Sequence, residues 1–153
     1  MTSLENRIPP PLVMLIVAAA MWGASLQTAP LSINGSLHYG LIAVFFLIAA
    51  LFGAPAVRAF RRSQTTIDPV HIERASALVT SGIYRLTRNP MYVAMTSLLL
   101  SWAAWLATPW SLIGPVFFVL FITRFQILPE ERAMTANFGA AYRDYQGRVR
   151  RWV

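Results

Sequence analysis

The chain has 153 residues, of which 56% are hydrophobic and 12% charged, and its 13 basic residues, all arginine, outweigh 6 acidic ones to give a net charge of +7. The absence of cysteine excludes disulfides and thiolate metal sites, and the two histidines, His38 and His71, share no ligand spacing, so no metal is expected. Charge is distributed unevenly, with nothing ionised at neutral pH between Arg7 and Arg58 or between Arg88 and Arg124.

A membrane-spanning helix needs about 20 mostly apolar residues. The first uncharged stretch therefore holds two spans, near 11–28 and 37–57, separated by the turn-forming "APLSINGS". A cleaved signal peptide is the competing reading of the N-terminal region, but a clean A-x-A site is missing and "GASLQTAP" is a poor substitute. The segment 67–92, "IDPVHIERASALVTSGIYRLTRNPMY", carries the Pro, Gly and Ser of a loop with at most one short helix. Asn89-Pro90 then reads as a helix start, Asn as N-cap and Pro preorganised for the first helical position. Two tighter spans follow near 91–107 and 110–128, turning at Thr108-Pro109. Beyond them Met134, Phe138, Tyr142 and Tyr145 recur at helical spacing, as in an amphipathic helix that lies on the bilayer or closes over a pocket. The expected fold is all-α: a polytopic membrane helical bundle of about four transmembrane helices plus a cytoplasmic C-terminal amphipathic helix, forming a single domain over 1–153.

The arginines cluster near the N-terminus, in 58–88 and from Arg124 onward, while both outer turns have none. By the positive-inside rule the termini and the middle loop are cytoplasmic. In a bacterium this would be the inner membrane. The positive charge is explained by topology and by attraction to anionic membrane lipids, with no need for nucleic acid.

Two polar blocks stand on that face. In the first, the start of the third helix presents free N–H groups and the positive end of its dipole beside Arg85 and Arg88, which attracts an anionic group such as a carboxylate. The plainer alternative makes these arginines interfacial anchors and Tyr84 and Tyr92 belt aromatics. In the second, Glu131 follows Arg124 by seven residues, which puts both on one face of an unbroken helix, with Pro129 able to kink it. Paired carboxylates beside a membrane are costly unless they meet cations or ligand hydroxyls, so Glu130-Glu131 next to Arg124 reads as a binding constellation.

Together the blocks carry a resemblance. "LVTSGIYRLTRNPMYVAM" and "PEERAMTANFGAAYRDYQGRVRRW" are similar to the two signatures of the isoprenylcysteine carboxyl methyltransferase and phospholipid methyltransferase family of integral membrane enzymes. The likeness covers the half of the chain from 78 to 152, with both blocks in the family's order and spacing. Asn89 stands where the family usually has His, Ala94 where Gly is common, and Arg150 where Pro is frequent.

The resemblance implies S-adenosylmethionine held at the cytoplasmic face by Tyr84, Arg85, Arg88, Asn89, Pro90, Tyr92, Glu130, Glu131 and Tyr142. The start of the third helix with Arg85 or Arg88 would take the methionine carboxylate, Glu130 or Glu131 the ribose hydroxyls or amino group, and Tyr92 and Tyr142 would flank adenine. Arg124 and Glu131 are the expected catalytic residues, and Arg124 or Arg151, the latter as a substrate ligand, would orient an anionic acceptor. The acceptor is a lipophilic small molecule or lipid, isoprenylcysteine-like or phospholipid-like. A membrane reductase of the sterol-reductase type using NADPH and a non-catalytic small membrane protein are the alternatives. Oligomeric state is not readable, since small-residue faces such as "AAAMWGA" pack equally well within and between chains. The charge pattern generates a topology prediction: reporter fusions at Val153 should read cytoplasmic, with Trp102, Trp105 and Trp110 near the outer interface. An extracytoplasmic signal would overturn it.

Overall fold

The structure is a computed structural model that describes residues 5, 7–62 and 78–153. The part of the middle loop at 67–77, with His71, lies outside the described residues. The described residues form helices joined by turns, with no strand among them. The helices are α1 (Pro10–Ser25), α2 (Gly35–Arg62), α3 (Pro90–Leu106), α4 (Ile113–Ile122) and α5 (Leu128–Arg148). A 3₁₀ turn at Gly82–Arg85 is the one short helix of the middle loop's described part, and another at Pro109–Leu112 leads into α4. A π-helical turn at Thr123–Ile127 joins α4 to α5 without interruption, so that Pro109–Arg148 forms one long helix.

Two helices are long and apolar enough to cross a membrane, Gly35–Ala59 and Pro109–Arg148, while Pro10–Ser25 and Pro90–Leu106 are apolar but shorter. Pro10 starts α1, whose first two bonded N–H groups, from Leu12 and Val13, donate to the Pro9 carbonyl at 2.9 and 3.2 Å. The turn after α3 closes where Ala107 adopts a left-handed conformation (φ 48°) and its carbonyl accepts the Leu31 N–H at 2.7 Å, tying it to the turn between α1 and α2.

α2 and α3 pack antiparallel. A Cβ at Gly53 would lie 3.2 Å from the Ala94 Cβ, the Ser101 hydroxyl donates to the Ile42 carbonyl at 3.0 Å, and His38 Nε2 bonds the Ala104 carbonyl at 2.9 Å. A carbonyl only accepts, so the His38 proton is on Nε2. α1 closes the other side of α3, where the Trp102 indole donates to the Ala18 carbonyl at 3.1 Å. Val13, Val17, Met21, Tyr92, Leu99, Ala103, Phe118, Ile122 and Ile127 form the core. Much larger side chains face outward, among them Leu15, Phe46, Leu51, Phe117 and Leu120. An apolar exterior around a small core suits a lipid surround.

The C-terminal helix does not continue straight. Gly139 (φ 53°, ψ −120°) breaks α5, and Tyr142 and Tyr145 are buried against the protein. The tyrosines that gave the amphipathic spacing thus close over the bundle's end.

At Gly114 a Cβ would collide with Met21 Sδ and lie 3.2 Å from Val17 Cγ1. Gly114→Ala should therefore destabilise the α1–α4 contact by roughly 1–3 kcal/mol, as overpacking does. Thermal unfolding in detergent should show a lowered midpoint that Met21→Ala, added to it, raises again.

Candidate active site

Pro90 opens α3, as its fixed φ and missing N–H suit the first helical position. The expected Asn89 cap is corrected by the geometry: its side chain makes no capping bond. The Asn89 carbonyl instead accepts the Tyr92 and Val93 N–H groups, both at 3.0 Å, and the side-chain amide donates to the Arg151 carbonyl at 2.9 Å. Thr87 Oγ1 donates to that carbonyl at 3.1 Å and accepts the Asn89 N–H, also at 3.1 Å. The Arg88 N–H donates to the Arg150 carbonyl at 2.9 Å. Asn89 turns its donor away from the helix because the segment 150–151 runs across the start of α3 and supplies a carbonyl acceptor there.

That segment brings Arg151 to Glu131. Its Nε donates to Oε1 at 2.9 Å and an outer nitrogen to Oε2 at 2.8 Å, a two-pronged pairing. Arg88 reaches Oε1 at 3.1 Å, and the Arg88 and Glu131 side chains are each only 11% exposed. The hydrogen bonds it donates to Glu131 hold the Arg151 guanidinium above its ordinary pKa, against a smaller opposing effect of burial. Glu131 is thereby neutralised twice, yet Arg88 is not satisfied, since its Nε and one terminal nitrogen are buried without a hydrogen-bond partner among the described residues. Tyr142 is buried here. Burial pushes its hydroxyl up to about 12, with the Glu131 charge adding and the Arg88 charge opposing.

Glu130 has a different environment. It is half-buried two residues beyond the apolar stretch 110–128, and the Tyr92 hydroxyl donates to its Oε1 at 2.5 Å. Burial raises the Glu130 carboxyl, the Tyr92 hydrogen bond lowers it and the Glu131 charge raises it, leaving it at about 7. Among the described residues no cation pairs with it.

Arg124 and Glu131 do not share a face. The π turn between them adds a residue to the helical repeat and rotates the following face by roughly 100°. Arg124 instead pairs with Glu5 at 3.2 Å, as Arg132 does at 2.7 Å, and Gln126 donates to the Ile8 carbonyl at 2.8 Å. Glu5 and Ile8 are thus clasped to the π turn and the start of α5.

Arg85 also stands apart. It is exposed and lines a separate cavity of 430 Å³ with Thr80, Ser81, Tyr145, Arg148 and Val149. Tyr84 is buried, with burial raising its hydroxyl well above the ordinary range, and its carbonyl accepts the Tyr145 hydroxyl at 2.6 Å. Of the expected residues, Arg88, Asn89, Glu131, Tyr142 and Arg151 thus gather at the start of α3, and Tyr92 with Glu130 lies beside them. Thr87 and the Arg150 carbonyl were not anticipated, and Tyr145 was expected only as part of the helix that could close over a pocket. Nothing in the sequence marks a backbone carbonyl, but Thr87 is a polar side chain within the first block.

With the geometry in view, the comparisons have a structural counterpart. Residues 37–141 match the family model described as phospholipid methyltransferase, and the chain belongs to that family. Membership implies methyltransferase activity and association with a membrane. A protein of Haemophilus influenzae described as an uncharacterized protein is 40% identical over 63 residues, which are 41% of this chain and the whole of that protein. No solved structure matches the chain.

Asn89→Leu should release the 150–151 segment and raise hydrogen exchange over 149–153, while Asn89→His, which keeps a ring N–H donor, should stay nearer the wild type. Equal exchange in all three would mean that the Arg151–Glu131 pairing and the bonds from Thr87 and the Arg88 N–H hold the segment without Asn89.

Proposed function

We propose that the protein is an integral membrane methyltransferase that uses S-adenosylmethionine to methylate a lipophilic acceptor at the cytoplasmic rim of the bundle. The observation that carries this reading is the half-satisfied Arg88, a guanidinium with one nitrogen on Glu131 and two buried nitrogens without partners among the described residues. A buried donor left unpaired costs roughly 1–3 kcal/mol, which a ligand carboxylate would relieve. The cofactor's methionine portion offers that group. Pro90 has no N–H, and those of Tyr92 and Val93 are spent on the Asn89 carbonyl, so Arg88 rather than the helix start is the main anion receptor.

In this reading Glu131 holds Arg88 and Arg151 in place and turns its remaining lone pairs to the ribose hydroxyls or amino group. Tyr142 and Tyr92 flank adenine. Asn89 and Thr87 dock the segment that delivers Arg151, which closes the pocket and orients the acceptor. Arg124 is reassigned from catalysis to the clasp with Glu5, and Arg85 to the neighbouring cavity. When bound, the cofactor supplies an already activated sulfonium methyl, so the protein's task is to position the acceptor and exclude water. The chain would pass the bilayer four times, its two short apolar helices making the thinnest passes, and a lipid acceptor would enter sideways between helices.

Arg88→Gln should weaken S-adenosylhomocysteine binding in detergent by about 10-fold or more, the value of one charge-assisted bond. Arg61→Gln, at an exposed position, should leave it unchanged. Equal affinities would refute the assignment, and binding of NADPH in place of S-adenosylhomocysteine would favour a reductase.

A further inference from the structure

We propose that the cavity between the 3₁₀ turn and the end of α5 is a second anion site, which takes a phosphate group through Arg85 and Arg148. It is separate from the Glu131 cluster and stands whether or not the protein is a methyltransferase. The cavity of 430 Å³ is lined by Thr80, Ser81, Arg85, Tyr145, Arg148 and Val149. Two guanidiniums and two aliphatic hydroxyls therefore border one space, and no carboxylate lines it.

Backbone bonds fix the walls. Gly82 adopts a left-handed conformation (φ 62°), turning the chain from extended Ser81 into the 3₁₀ turn. The Tyr145 hydroxyl donates to the Tyr84 carbonyl at 2.6 Å, which joins that turn to the last turns of α5. The helix then ends where the Val149 N–H donates to the Tyr145 carbonyl at 3.0 Å. Arg85 and Arg148 each follow or precede a residue held by these bonds, so both are brought to the same cavity. Tyr142, its ring centre 6.2 Å from that of Tyr145, borders the Glu131 cluster, and the cavity adjoins that cluster without sharing its ion pairs.

The two arginines are uncommitted. Arg88 and Arg151 face Glu131, and Arg124 and Arg132 face Glu5. Among the described residues Arg85 has no hydrogen-bond or ion-pair partner, and Arg148 engages only its Nε, on the Asp144 carbonyl at 3.3 Å. Ser81 precedes the 3₁₀ turn but makes no capping bond with its side chain, which leaves the hydroxyl available. A cation that merely complements the end of α5 would need one arginine. Two on one cavity repel each other until an anion enters. Guanidiniums grip phosphate through parallel N–H bonds, and the several oxygens of a phosphate can serve both arginines and a hydroxyl together, which favours it over a carboxylate.

Free phosphate and the phosphate of a lipid headgroup offer the same chemistry, and two titrations separate them. The full chain, in an uncharged detergent free of phosphate, is titrated with inorganic phosphate or with phosphatidylglycerol, with diacylglycerol as the phosphate-free lipid. The wild type should bind one of the two saturably, with a rise in its thermal midpoint; saturation by inorganic phosphate identifies the free anion, and saturation by phosphatidylglycerol alone identifies a lipid. Arg85→Gln with Arg148→Gln should weaken that binding by about 10-fold or more, without lowering the midpoint of the ligand-free protein. Arg61→Gln with Arg143→Gln removes the same charge at exposed positions outside the cavity and should bind as the wild type does. Ser81→Leu, which keeps the charge but intrudes on the cavity, should also weaken binding, and Arg85→Lys with Arg148→Lys should retain part of it, which guards against a folding defect. The proposal is overturned if the wild type prefers neither ligand to diacylglycerol, if the Arg85 and Arg148 variant binds normally, or if the Arg61 and Arg143 variant loses as much affinity, since surface charge alone would then account for the binding.

Discussion

The Glu131 carboxylate is the point on which the polar end of the molecule depends. It draws together side chains from three places, Arg88 before α3, its own position at the start of α5, and Arg151 beyond α5. With Arg88 largely out of water, losing Glu131 would leave its buried charge uncompensated, a cost of about 3–5 kcal/mol that exceeds what the intact pair contributes, whereas losing Arg88 would leave Glu131 paired with Arg151. Such a group acts as a constraint on geometry more than as a source of stability. Once it forms, the 149–151 segment must cross the start of α3, Asn89 and Thr87 find their acceptor in the Arg151 carbonyl, and Tyr142 and Tyr145 come to lie under the fold.

The π turn at Thr123–Ile127 is the second constraint. It carries the apolar part of the long helix into a polar part with a different facing, so that two arginines, Arg124 and Arg132, close on Glu5 while Glu131 is released to the other side. An α-helical continuation would have placed Arg124 in the Glu131 cluster and competed with Arg88 for it. The turn thus sorts the basic residues between a clasp and a site.

Much of the fold was legible in the sequence because lipid-facing helices advertise themselves by an absence of charge. The expected spans at 37–57 and 91–107 fall inside or within a residue of α2 and α3, and Pro90 starts α3 as its chemistry requires. The short α1 and the unbroken run from α4 into α5 were not legible, since hydropathy reports neither where a helix frays nor a π turn whose residues, "TRFQI", carry no unusual composition. The site was partly legible for a different reason. Arg88, Asn89, Glu131 and Arg151 stood out as polar side chains, and they do converge. What they bond to was hidden, because backbone carbonyls have no letter in the sequence, and seven-residue spacing placed Arg124 beside Glu131 only for as long as the helix was taken to be regular.

The Arg151 carbonyl joins Thr87 and Asn89 across sequence separations of 64 and 62 residues. During synthesis α1, α2 and the entrance to α3 are made long before that partner exists. Until then Arg88 has no Glu131 and the start of α3 stays open to water, so the rim remains hydrated while the helices around it settle. Closing so long a loop late carries little extra entropic cost once the intervening helices are in place. The helices therefore assemble first as an open bundle, whose polar end is sealed only after translation has passed α5.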